Sequence, residues 1–271
     1  MNALERKMVD VLMDLKENHH VNGIKAEFEA EGTRIEEMLR LKEVCDKSDL
    51  GLTIKIGGCE AVRDMYECRT IGVARIVAPM VESAFALHKF LAAVRLAFPP
   101  DERKEIDFAV NTETISACRA FPEMLSLPEI GQLNGIVMGR VDLTGSLGLS
   151  REDINHPQVF ELTRQVFAQA KSMHLETAVG GGVSKYSLPF FRQLEPGLLD
   201  RYETRKVIFK CPEALDEHAD NGILKAVGFE LMWLKNKRDY YKLIAEEDNN
   251  RIEMLEKRYK ALIEEAGGHT A

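Results

Sequence analysis

The sequence predicts an α/β fold, a closed (β/α)8 barrel with a long helical extension at its C-terminal end. Three observations predict it. The 271 residues suit a single α/β barrel. Short β-rich runs alternate with amphipathic helical runs along most of the chain. The strand runs are apolar, and none is marked as an edge. Strands are expected over Gly23–Ala30, Leu52–Gly57, Arg75–Met80, Ile106–Glu113, Gly135–Asp142, Glu176–Gly181 and Lys206–Lys210. Helices are expected over Arg34–Cys45, Glu60–Arg69, Ala84–Leu96, Thr114–Leu125, Gln158–Met173 and Ser187–Leu194. Alternation at this spacing calls for a parallel sheet with crossover helices. Many repeats of the unit favour closure into a TIM-type barrel over an open sheet. Only seven strands are counted. Either an eighth hides before Gly23, which modifies the barrel at its first strand, or the closure is irregular.

The barrel is expected over residues 1–221 and a helical extension over 222–271. From Gly222 to Ala266 there is no proline. Leu224, Val227, Leu231, Leu234, Tyr241, Ile252, Leu255, Tyr259 and Leu262 fall near a three-four spacing, which weakens between Ala245 and Arg251. A helix this long cannot bury itself on one barrel. It is either two helices with a kink in the polar stretch or an arm for homo-oligomerisation; the arm is the preferred reading.

Composition narrows the function. Hydrophobic residues make up 45% and charged residues 30%, as in globular proteins. The net charge of -8 argues against general nucleic-acid binding, which needs a basic face. No apolar run is long enough to span a membrane, and Met1–Leu12 reads as an amphipathic helix, not a signal peptide. The five cysteines (Cys45, Cys59, Cys68, Cys118 and Cys211) form no close pair. They are expected to be reduced thiols of a cytoplasmic protein.

In a barrel the chemistry sits at the C-terminal ends of the strands. The polar residues expected there are Glu27, Glu29 and Glu31, then Lys55, Glu82, Asn111, Glu113, Arg140 and Asp142. The sixth strand ends in Gly180–Gly182, which lets backbone approach a ligand. Glu203 and Arg205 stand at the start of the last expected strand, the wrong end for chemistry. Carboxylates facing one cavity repel unless a cation sits among them. A hard divalent ion, Mg2+ or Mn2+, resolves this, and Glu113 and Asp142 end neighbouring strands. Lys55 can stabilise a developing oxyanion or form a salt bridge. Arg140, beside Asp142, is the best arginine for an anionic substrate; Arg69, Arg75 and Arg205 are weaker ones. None of the seven histidines (His19, His20, His88, His156, His174, His218 and His269) ends a strand. Proton transfer then falls to a carboxylate, to Lys55 or to metal-bound water.

Four stretches carry a resemblance: Ile24–Gly32 (IKAEFEAEG), Ile76–Ser83 (IVAPMVES), Val110–Thr114 (VNTET) and Gly139–Gly148 (GRVDLTGSLG). Together they resemble the HpcH/HpaI aldolase and citrate lyase beta-subunit family, over about Gly23 to Phe209. The resemblance implies a barrel of the pyruvate/phosphoenolpyruvate class in which Glu113 and Asp142 hold Mg2+ or a similar ion. It implies a 2-oxo acid substrate and carbon–carbon bond cleavage or formation through a metal-bound enolate. Lys55 matches the family's enolate-stabilising arginine. Backbone N–H groups around Arg140–Asp142 would receive the substrate carboxylate, with Arg140, Gly139 and Val141 as the substrate-binding residues. The chain departs from the family where Ala30 replaces the histidine of a Glu-His pair and Thr70 replaces that histidine's aspartate partner. Losing both halves of a base dyad points to a changed mechanism, with Glu29 left as the candidate base.

The resulting expectation is a divalent-metal-dependent carbon–carbon lyase, or the reverse condensation, acting on a small 2-oxo acid or related carboxylate. The alternatives are decarboxylation, phosphoenolpyruvate-dependent transfer, or a catalytically altered barrel serving as a metabolite-binding or scaffold subunit.

Overall fold

Seventeen principal elements follow one another in the computed structural model, which describes residues 1–268. They are α1 (Ala3–His19), β1 (Val21–Glu27), α2 (Ile35–Lys47), β2 (Gly51–Lys55), α3 (Val62–Ile71), β3 (Arg75–Ala78), α4 (Ala84–Ala97), β4 (Asp107–Thr112) and α5 (Ile115–Leu125). Then come β5 (Gly135–Gly139), α6 (Arg140–Ser146), α7 (Pro157–Ser172), β6 (Glu176–Gly180), α8 (Leu188–Gln193), β7 (Arg201–Glu203), β8 (Val207–Lys210) and α9 (Ala219–Glu265). The chain divides into two units, Met1–Glu230 and the segment from Leu231 on.

The eight strands close a barrel in sequence order. β1 to β7 run parallel, and β8 is antiparallel to both β7 and β1. The eighth strand does not lie before Gly23, where α1 stands instead. It is β7, only three residues long, with an arginine and a glutamate among them. That segment offers no apolar run to read. The irregularity is in the closure: β8 returns as a hairpin, with Thr204 N–H on the Val207 carbonyl at 2.9 Å. This corrects the placement of Glu203 and Arg205. Glu203 ends a parallel strand and Arg205 lies in the turn after it, so both stand at the C-terminal mouth. His20 and His174 sit at the opposite end, just before β1 and β6.

Alternate strand residues face the axis and stack in tiers. The closed end holds Arg75, Asp107, Glu176 and Arg201. Arg75 Nη2 reaches Asp107 Oδ2 at 2.7 Å and also bonds Glu176, which in turn pairs with Arg201. The middle tier is apolar, with Val77, Ala109, Val137 and Ala178 in one buried cluster. The third tier is the mouth.

Local chemistry fixes the entrances of the helices that frame it. Ser83 and Thr114 accept the Ala86 and Ala117 N–H groups, N-capping α4 and α5. Helices α4 and α5 bury Phe90, Leu91, Val94 and Phe121 on their inner faces. In the second unit α9 continues unbroken through the polar stretch, so the kinked pair of helices is not formed. No helix among the described residues is long and apolar enough to cross a membrane. His269 lies outside the described residues.

Candidate functional site

At the C-terminal mouth a cavity of about 500 Å3 is lined by residues from β1, β2, β4, β5, β6 and β7, the segments after them, and Val227 and Glu230 of α9. The carboxylates on its wall are Glu27, Glu29, Glu113, Asp142, Glu203 and Glu230, and the cations are Lys25, Lys55, Arg151 and Arg205. Among the described residues no histidine lines it.

Glu113 follows the last residue of β4 and is only 2% exposed. Its Oε1 accepts the Met80 N–H at 2.9 Å, and its Oε2 accepts Asn111 Nδ2 at 2.7 Å. Met80 holds a φ of 53°, a left-handed conformation that is strained for a side-chain-bearing residue and that here directs its N–H at the carboxylate. Space for Glu113 comes from Gly139 on the next strand: a Cβ there would lie 2.4 Å from Glu113 Oε2. Burial raises the Glu113 pKa above the ordinary carboxylate value, Lys55 and the two hydrogen bonds oppose the rise, and Asp142 adds to it. The two carboxylates therefore feel one another across adjacent strand ends, β4 and β5. Asp142 stands in the first turn of α6 and is exposed to the cavity. Among the described residues neither Glu113 nor Asp142 has an ion-pair partner.

Lys55 ends β2, and its Nζ lies 2.8 Å from Glu29 Oε2. β1 stops at Glu27, so Glu29 and Glu31 belong to the following bend and do not share a strand face with it. The three glutamates part accordingly: Glu29 meets Lys55, Glu31 bonds Lys206, and Glu27 turns into the barrel. There Lys25 Nζ sits 3.3 Å from Glu27 and 2.5 Å from Glu203, while Arg205 reaches Glu27 at 3.2 Å. Burial disfavours the Glu27 carboxylate, but Lys25, Lys55 and Arg205 outweigh it and hold its pKa below the usual value.

Arg140 does not line the cavity. It is 0% exposed and hydrogen-bonds the Gly180 and Gly181 carbonyls, Asn155 Oδ1 and Ser187 Oγ. Phe190 and Phe191 lie about 5 Å from its guanidinium carbon. Burial with no facing carboxylate lowers its pKa. Its side chain fastens the Gly180–Gly182 loop to α6, which corrects its reading as an anion receptor. Gly139 and Val141 do line the cavity. Gly181, at φ 80°, lies so near the α6 backbone that a Cβ would stand 2.7 Å from the Val141 nitrogen. Of the weaker arginines, Arg69 pairs with Glu102 on the surface and Arg75 belongs to the closed end.

Sequence reasoning missed Lys25, Arg151, Glu203 and Glu230. Lys25 carried a signal, since it shares the two-residue period of β1 with Glu27. Arg151 had none; the loop after α6 carries it to the mouth. It is the one cation of the cavity wall with no ion-pair partner among the described residues.

No group of three or more His, Cys, Asp or Glu side chains among the described residues is arranged to enclose a metal ion. A hard divalent ion asks for less. Mg2+ commonly takes one or two carboxylates and fills its other positions with water and substrate. Glu113 and Asp142 fit that pattern. Each Glu113 oxygen keeps a lone pair beyond its hydrogen bond, and the desolvated carboxylate has no ion-pair partner among the described residues.

No protein-family model and no curated protein matches the chain. Solved structures do. An HpcH/HpaI aldolase from Desulfitobacterium hafniense DCB-2 superposes with a TM-score of 0.60 at 15% identity, covering 73% of this chain and 81% of that one. Citrate synthase SbnG gives a TM-score of 0.60 at 14% identity, with 86% and 90% covered. An HpcH/HpaI aldolase/citrate lyase family protein from Burkholderia cenocepacia J2315 gives 0.60 at 13%, with 90% and 100% covered. At these identities the likeness is one of fold.

Proposed function

We propose that this barrel is a carbon–carbon lyase, or the corresponding synthase, of the HpcH/HpaI aldolase and citrate lyase type, acting on a small 2-oxo acid or related carboxylate. The observation that carries the reading is the pair Glu113–Asp142: a desolvated carboxylate just past β4 and an exposed one in the first turn of α6 just past β5, in a cavity of substrate size. The fold likeness supports it, because the similar structures include an aldolase and a citrate synthase.

Glu113 and Asp142 would hold Mg2+ or Mn2+, which supplies a Lewis acid for the substrate carbonyl. The chain's own groups do the rest. Lys55 places an ammonium on the cavity wall, where it stabilises negative charge developing on an enolate oxygen. Glu29 orients Lys55 through the 2.8 Å contact. As a carboxylate it is also the nearest group to Lys55 that can take or return a proton. Gly139, Val141 and the first N–H groups of α6 bound the region where a substrate carboxylate is received. Arg151 is free to meet a second anionic group, which favours substrates charged at both ends. Arg140 acts only by positioning, since it locks the glycine loop against α6.

The test is a panel of 2-oxo acids and their aldol adducts, run with Mg2+ or with EDTA, reading pyruvate release and deuterium uptake at C3 in D2O. Metal-dependent release from at least one adduct supports the reading. Silence across the panel, with no exchange, rejects it in favour of a metabolite-binding or scaffold barrel. The absence of a histidine from the mouth among the described residues and the Lys55–Glu29 tie favour that second reading. Decarboxylation or phosphoenolpyruvate-dependent transfer at the same pair would show as carbon dioxide or phosphate release. Copies of the chain are the other partner we infer, through α9.

A further inference from the structure

The segment of α9 from Leu231 on carries a row of exposed apolar side chains. Leu231, Leu234, Ile252 and Leu255 are 52, 52, 51 and 50% exposed. They belong to one series with alternating three- and four-residue steps, which runs through Arg238, Tyr241, Ala245 and Asp248 in the middle and on to Tyr259 and Leu262. A strict seven-residue repeat drifts around a lone straight helix but stays on one seam when two helices supercoil. The stripe is roughly 45 Å long at 1.5 Å per residue. An exposed apolar face of that length needs a partner.

The interruptions in the series identify the partner. Arg238 and Asp248 stand at equal distances on either side of Leu243, and so do Tyr241 and Ala245. Leu231 and Leu255, and Leu234 and Ile252, are related in the same way. If a second helix of this sequence lies antiparallel with Leu243 at the centre, Leu231 faces Leu255, Leu234 faces Ile252, Arg238 faces Asp248 and Tyr241 faces Ala245. Each of these four layers is then complementary in charge or in size. In a parallel in-register pair Arg238 meets Arg238 and Asp248 meets Asp248, two like-charge layers in a desolvated seam. The Lys242 side chains meet near the two-fold axis, and each is paired with Glu246 of its own helix at 3.4 Å.

We propose that the occupant of this face is a second copy of the chain, joined through an antiparallel two-stranded coiled coil centred on Leu243, with Arg238 and Asp248 exchanging ion pairs across it. A two-fold axis through the centre makes the interface self-complementary and closed at two chains. The proposal does not depend on the chemistry of the barrel mouth.

Two measurements on the full chain test it. In a Cys59→Ser background, Leu234→Cys and Ile252→Cys are made in separately tagged chains and mixed under mild oxidation. The expected result is a covalent dimer from the mixture and none from either variant alone. Self-cross-linking of a single variant, as a parallel pair gives, overturns the proposal. Analytical ultracentrifugation then compares Arg238→Asp, Asp248→Arg and the double swap. All the changed side chains are exposed, so the barrel stays folded. Each single variant should dissociate with a Kd weakened about tenfold or more, and the double swap should restore the dimer. A wild-type monomer, a higher oligomer, or a double swap no tighter than the singles overturns it.

Discussion

The two ends of the barrel interior are both charged, yet they are built differently. At the closed end Arg75, Asp107, Glu176 and Arg201 are matched two against two, and each has an ion-pair partner. At the mouth Lys25, Glu27, Glu203 and Arg205 form a similar matched group on one side. On the other side Glu113 and Asp142 face the cavity with no ion-pair partner among the described residues. A barrel gains rigidity from satisfied charge and gains chemistry from charge left available. The closed end is a plug, and the Glu113–Asp142 side of the mouth is where the proposed divalent ion would bind.

The largest effect should come from breaking the plug. Arg75→Met takes from Asp107 its ion-pair partner and leaves Glu176 with Arg201 alone, which should cost about 3 kcal/mol in urea unfolding, while the Mn2+ affinity of the folded protein stays unchanged. Loss of metal binding in a folded Arg75→Met variant would erase the distinction between the two ends. Gly139→Ala attacks the mouth instead. Its Cβ would displace Glu113, so stability should fall by about 1–3 kcal/mol and divalent-ion binding should disappear in calorimetry. Lys55→Met should leave Mn2+ binding in place and lower turnover by about a hundredfold; Lys55→Arg should recover part of it. Equal turnover in Lys55→Met removes that lysine from the chemistry.

The smallest effect concerns the matched side of the mouth. The folded Glu27 pKa is depressed, so its ionised form adds stability above the ordinary carboxylate pKa. That contribution disappears as pH falls through the depressed value. Glu27→Gln should therefore be less stable than wild type near neutrality, with the deficit shrinking below roughly pH 4. A deficit that is constant with pH would mean that packing, not charge, sets the Glu27 contribution.

Much of this was legible in the residues. The alternation of apolar strand runs and helices gave the barrel, because a parallel sheet buried on both faces leaves long β-branched runs. The place of Glu113 and Asp142 at the mouth was legible because each closes such a run. The closure was not, since β7 is three residues long and two of them are charged. Misplacing that strand turned Glu203 and Arg205 to the wrong end and hid the partner of Lys25. Arg140 misled for another reason: its place beside Asp142 gives its position but not its direction, and burial under Phe190 and Phe191 turns it away from the cavity.

The most direct test of the central claim is calorimetric titration of Mn2+ into wild type and Asp142→Asn, each with and without oxalate as an enolate mimic. Wild type should bind Mn2+, oxalate should bind only when the metal is present, and Asp142→Asn, still folded, should bind neither. Unchanged Mn2+ affinity in Asp142→Asn, or a wild type that binds no Mn2+, would contradict it.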